Sequence, residues 1–152
     1  MTAWPSATFA SSDLAAALMS EPSTFDSDRT PFDQFGSESA VRSMVDAFYD
    51  HMGTDQAFAV IRALHPKDLG DSRDKLFKFL CGWLGGPQLY VQEYGHPRLR
   101  QRHAAFAIGE PERDQWLQCM GLAMDDRGID GELRAFLDQR FAHVADFMRN
   151  AD

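Results

Sequence analysis

The sequence predicts an all-α protein, and three observations carry that reading. Apolar residues recur at spacings of three and four in several separate runs, the mark of one buried helix face. No run alternates apolar and polar residues with the period of two that a half-buried strand requires. Breakers fall between the runs: Gly53, Pro66, Gly85-Gly86-Pro87 and Gly128 stand where the periodicity stops.

Residues 1–30 are rich in Ser, Ala, Thr, Asp and Pro and read as an N-terminal extension, with one short helical turn between Leu14 and Met19. The domain proper runs over 31–152 and opens on a single apolar turn at Phe32 and Phe35. Ser37 or a neighbour caps the first long helix, whose inner face is Val41, Met44, Val45, Phe48, Tyr49 and Met52. A shorter helix over 54–64 points Phe58, Ile61 and Leu64 inward and ends at Pro66, which forces His65 out of helical geometry. A third helix, capped by Asp71, carries Leu76, Phe79, Leu80, Trp83 and Leu84 on its apolar face. The segment 87–96 has no clear period and reads as loop, and Pro97 starts a short helix towards His103. A fourth long helix begins at Glu110, with Pro111 in its first turn and Trp116, Met120, Ala123 and Met124 aligned. Asp130 caps the last helix, with Leu133, Leu137, Phe141, Val144 and Met148 inward.

Bulk properties exclude several classes of function. The chain has 152 residues, 44% of them hydrophobic and 25% charged, the composition of one ordinary globular domain with a core of its own. A net charge of -8 argues against nucleic acid and anionic membrane surfaces as partners. No stretch approaches the roughly 20 apolar residues of a membrane span, and the N-terminus lacks the basic start and apolar run of a signal peptide. Cys81 and Cys119 form no CxxC pair and read as buried thiols of a cytoplasmic protein.

The chemistry concentrates between Tyr90 and Phe106, YVQEYGHPRLRQRHAAF. Arg98, Arg100 and Arg102 stand at every second position and lead into His103. A histidine after a basic run is ordinarily a surface or partly buried residue. Here, however, a neutral imidazole able to hold iron follows guanidinium groups able to pair with carboxylates. Haem presents both an iron centre and two propionates. The five histidines form no HxxxH pair, and no CxxC or DxDxDG pattern occurs, which leaves zinc and calcium unsupported.

The runs LHPKDL, KLFKFLCGWLGGPQLY, YGHPRLRQRHAAFAIG and ERDQWLQCM, in that order, resemble the truncated haemoglobins, and their second group most. The likeness covers about residues 31 to 150. It implies a shortened globin fold, a two-over-two helical sandwich around haem b. It also implies the roles of particular residues: His103 as the proximal iron ligand; Tyr49, His65 and Trp116 as polar groups facing the bound ligand; Leu76 and Ser72 above the haem; Arg102 and Tyr90 towards the propionates; Phe79, Leu80 and Phe106 along the apolar slot. The sequence departs from the family where a Gly-Gly hinge reads Gly36-Ser37, and where Ser72, small and polar, neither ligates iron strongly nor blocks the gate.

The function this implies is reversible binding of dioxygen and other diatomic ligands, by a monomer or homodimer served by an unidentified reductase. A phenol, an imidazole and an indole each can donate to a ligand bearing partial negative charge. Two other readings stay open: a haem redox enzyme acting on nitric oxide or peroxide, and a haem-free helical module whose arginines bind an acidic partner.

Overall fold

In the computed structural model, side-chain caps set where the first two helices start. Residues 30–98, 101, 103, 104 and 106–150 are described. Helix α1 (Pro31–Phe35) starts with proline in its first turn and a complete capping box: the Thr30 hydroxyl accepts from the Asp33 amide (3.1 Å), and the Asp33 carboxylate accepts from the Thr30 amide (3.2 Å). Gly36 ends it at φ 108°. Ser37 then accepts from the Ala40 amide (3.3 Å) and opens α2 (Glu38–Thr54). The six apolar positions expected to face inward on α2 are its buried residues.

The helix expected over 54–64 is divided. Asp55 caps a 3-10 turn at Gln56–Phe58, and α3 (Ala59–Ala63) follows. The Asp55 carboxylate takes the Ala57 amide (2.9 Å), a local bond that competes with continuous α-helix. Helix α4 (Gly70–Trp83) starts one residue before Asp71, which lies in its first turn, and Gly85 closes it at φ 95°.

Residues 87–96, expected as loop, contain helix α5 (Leu89–Tyr94). A six-residue helix is too short to display a period. It is held instead by Gln88, whose side-chain amide donates to the Gly82 carbonyl (3.0 Å). Pro97 and Arg98 are not helical, and Arg98 sits at φ 51°. Of the short helix expected from Pro97 to His103, Gln101 is helical and His103 lies in a turn, while residues 99, 100 and 102 lie outside the described residues. The last two helices, α6 (Glu110–Asp126) and α7 (Gly131–Phe147), lie where the periodicity placed them. Asp130 occupies the cap position of α7 without a side-chain bond to it.

Every regular element among the described residues is helical. α2 packs on both α4 and α6, α6 packs on α7, and α4 carries α5. α2 and α4 thus pair on one side and α6 and α7 on the other. The seam between the pairs is filled by Met44, Phe48, Met52, Met120, Ala123 and Leu137, each 0–1% exposed. Burial of this kind contributes about 1.5–3 kcal/mol per large side chain. No helix of the described residues is long and apolar enough to cross a membrane.

Candidate functional site

Between the two helix pairs lies a cavity with about 900 Å³ of empty space, counted together with the solvent at its open mouth. α2 contributes Tyr49, the end of α3 contributes Ile61, Leu64 and His65, and α4 contributes Leu76, Phe79, Leu80 and Trp83. The irregular segment before α6 supplies His103, Phe106 and Ile108. Glu112, Arg113 and Trp116 come from α6, and Phe141, Val144, Ala145 and Met148 from the end of α7.

The polar groups in this apolar lining are each fixed by neighbours. Tyr49 is 2% exposed; its ring meets Phe48 edge to face at 4.9 Å. Burial holds its phenol well above the usual range, and the Arg73 guanidinium, 5.8 Å from the ring centre, works against that rise. Arg73 is itself anchored by the Asp46 carboxylate and carbonyl (both 3.2 Å) and by Asp50 (2.8 Å). Trp116 is half-buried between Phe48 (5.2 Å) and Phe141 (5.5 Å).

His65 is held by two sets of bonds. Its Nδ1 lies 2.8 Å from the Ile61 carbonyl. A carbonyl only accepts, so Nδ1 carries the proton and a neutral ring has a bare Nε2. Burial lowers the ring's pKa, the bond to Ile61 opposes this, and Arg62 lowers it further. Arg62 also ties the turn in place: its guanidinium donates to the carbonyls of His65 (3.4 Å), Pro66 (2.9 Å) and Lys67 (2.8 Å).

The remaining charged lining is already committed. The Glu112 carboxylate accepts from the Gly109 amide (2.7 Å) at the start of α6. Arg113 donates to Asp146 (2.8 Å) and Asp114 (3.0 Å). Trp83 stacks on Phe141 with centroids 5.1 Å apart, and its buried indole N–H has no partner among the described residues.

Eight of the expected site residues meet at this cavity: Tyr49, His65, Leu76, Phe79, Leu80, His103, Phe106 and Trp116. Ser72 is fully buried on α4 but does not line it. Tyr90 is also buried away from it, its ring against Phe79 (6.3 Å) and Tyr94 (4.8 Å). Arg102 lies outside the described residues. Ile108, Glu112, Arg113 and Ala145 line the cavity without having been expected there. Glu112 and Arg113 stand in the ERD run, where their charge reads as helix-start chemistry rather than as lining.

The donor set suits haem. His103 offers an imidazole, and the surrounding aromatic and aliphatic wall suits a flat apolar macrocycle.

A model of the bacterial-like globins matches residues 30–150. A group 2 truncated haemoglobin of Bacillus subtilis is 39% identical over 120 residues, 79% of this chain and 88% of that protein. The chain belongs to the group II truncated haemoglobins. Solved truncated haemoglobins share its fold. The cold-adapted truncated haemoglobin of the Antarctic marine bacterium Pseudoalteromonas haloplanktis superposes with a TM-score of 0.79 at 40% identity, over 82% of this chain and all of that one. The oxygen-avid truncated haemoglobin of Bacillus subtilis gives 0.75 at 38%, over 80% of this chain and all of its own. The two-over-two architecture is therefore this globin's fold, and membership implies haem-based ligand binding.

Proposed function

We propose that this globin binds dioxygen and other diatomic ligands reversibly at a haem b held by His103. The observation that carries this reading is the gathering of His103, Tyr49, His65 and Trp116 in one otherwise apolar cavity. Haem, when bound there, supplies the iron at which a diatomic ligand binds. The chain's own residues supply the rest. His103 would hold the iron, and Leu76, Phe79, Leu80 and Phe106 would exclude water around the macrocycle. Trp116 donates through its indole to a ligand bearing partial negative charge, and Tyr49 through a hydroxyl that burial keeps protonated. Arg102 is assigned to a propionate, on the family pattern alone. The oxygen-avid relative from Bacillus subtilis supports slow release rather than rapid delivery. The two buried cysteines, Cys81 and Cys119, are free thiols and suit the cytoplasm.

A redox activity towards nitric oxide or peroxide is the second reading. The buried donors favour it, because slow ligand release leaves time for turnover by a reductase. Nitrate formed from nitric oxide in the presence of a reductant separates it from binding alone.

Spectra of the ferric, ferrous and carbonmonoxy forms test the proposal. The purified protein is expected to show a Soret band, and His103→Gly to lose stable haem binding. An intact Soret band in the purified variant would overturn the assignment of His103.

A further inference from the structure

The described residues of the segment 103–109 have no regular secondary structure of their own. Its backbone donors and acceptors therefore need partners from elsewhere. Within and just before it, short turns form among the described residues: the Ala104 amide donates to the Gln101 carbonyl (3.1 Å), and the Phe106 amide to the His103 carbonyl (3.0 Å). One residue 40 or more positions later bonds several of these groups. The Asn150 amide N–H donates to the Ile108 carbonyl (2.8 Å). Its Oδ1 accepts from the Ile108 amide (2.8 Å). Its Nδ2 donates to the carbonyls of Phe106 (2.8 Å) and His103 (3.3 Å).

Asparagine matches this task chemically. One planar side chain carries an acceptor and two donors, and here all three are engaged. The opposite orientation of the amide would set donor against donor at Ile108 and oxygen against two carbonyls, so the arrangement is unique. The latch is also tied to α6 by ion pairs. Asp146, one turn earlier, accepts from Arg149 (3.2 Å) and from Arg113 of α6 (2.8 Å), and the two cations hold its carboxyl below the usual range. A closed loop results: the start of α6, the end of α7, Asn150, and the segment that returns to α6.

We propose that Asn150 is a positioning residue for His103, a C-terminal latch that fixes the backbone from which the imidazole reaches the cavity. The latch acts on the carbonyl of His103 itself and on Phe106 and Ile108, both of which line the same cavity. Released from it, the segment keeps its covalent ends and its turn bonds but loses one restraint on the position of the imidazole. This inference rests on the assignment of His103 to iron.

Two substitutions separate the latch's parts. Asn150→Ala removes all three side-chain bonds and leaves the backbone bond to Ile108. Asn150→Asp keeps an acceptor for the Ile108 amide but turns a carboxylate towards the two carbonyls. Hydrogen exchange of the Ile108 amide reads the latch directly, whether or not haem is present. It is expected to speed up in Asn150→Ala and to stay slow in Asn150→Asp. In the haem-loaded protein, both variants are expected to shift the iron–histidine stretching frequency of the ferrous form. Both are also expected to lose haem about tenfold faster, the ratio given by one or two hydrogen bonds of ordinary net strength. The C–O stretch of the carbonmonoxy form, which reads Tyr49 and Trp116, should not move. An unchanged iron–histidine stretch and unchanged haem loss in both variants would overturn the latch. An intact Soret band in His103→Gly would instead overturn the iron assignment, and the Ile108 exchange would still report whether Asn150 holds the segment.

Discussion

Tyr49 and His65 meet edge to face, their ring centroids 5.7 Å apart and their planes at 78°. They come from different elements, α2 and the turn after α3. Each has an arginine behind it: Arg73 lies against the Tyr49 ring, and Arg62 donates to the His65 carbonyl (3.4 Å). Because the proton of His65 is committed to the Ile61 carbonyl, the imidazole offers the cavity a lone pair. The phenol is thus the proton donor of the two.

This asymmetry gives a prediction with a sign. Tyr49→Phe removes a donor, and dioxygen release should accelerate by about two- to tenfold, the range of one net hydrogen bond. His65→Phe removes an acceptor, and release should stay unchanged or slow. Stopped-flow displacement of dioxygen measures both. Acceleration in the His65 variant comparable to that of Tyr49→Phe would show that His65 donates after all.

Trp116 is proposed as a second donor, on independent grounds. Its ring is clamped between Phe48 and Phe141, so the indole position does not depend on a bound ligand. Trp116→Phe preserves an aromatic wedge but deletes the N–H, and release should again accelerate by about two- to tenfold. Identical dissociation kinetics in wild type and variant would count against a donor role.

Most of the helical frame was legible in the sequence because the long helices bury one face each. On α2 the buried residues are the six that recur at helical spacing. What periodicity could not give was short or non-periodic. Helix α5 has six residues and owes its place to Gln88 bonding back to Gly82. The cavity residues Ile108 and Ala145 look like any other core position until α6 and α7 meet. The tautomer of His65 depends on a carbonyl four residues earlier, which a one-dimensional reading does not supply. Asn150 could not be found at all: its partners, His103, Phe106 and Ile108, lie more than 40 residues away in the chain.

Burial of His65 links its titration to stability. Its folded pKa lies below the ordinary value, chiefly through desolvation, while in the unfolded chain it titrates near about 6.5. Above that pH neither state is protonated at this site. As pH falls below it, the unfolded chain takes up a proton that the folded ring resists, and stability drops until the folded pKa is passed. His96 is depressed in the same direction by burial and adds to the slope. Urea unfolding between about pH 7.5 and about pH 5.5 should show a smaller loss of stability in His65→Gln than in wild type. Equal slopes in the two proteins would show that His65 contributes nothing to the acid sensitivity.

The last prediction concerns how α1 docks. A Cβ added to Gly86 would lie 2.5 Å from the Phe32 ring, closer than any van der Waals contact, while the Phe32 amide donates to the Leu84 carbonyl (2.9 Å) beside it. Glycine at 86 therefore does more than break α4: it lets an aromatic ring from α1 lie against bare backbone. Gly86→Ala forces the ring out or strains the Gly85–Pro87 turn, and should cost about 1–3 kcal/mol. Phe32→Ala relieves the clash, so in the Gly86→Ala background it should cost less than it does alone, with a coupling of about 0.5–3 kcal/mol. A double-mutant cycle from urea midpoints measures it. Strict additivity of the two substitutions would mean that the methyl group finds room without moving Phe32.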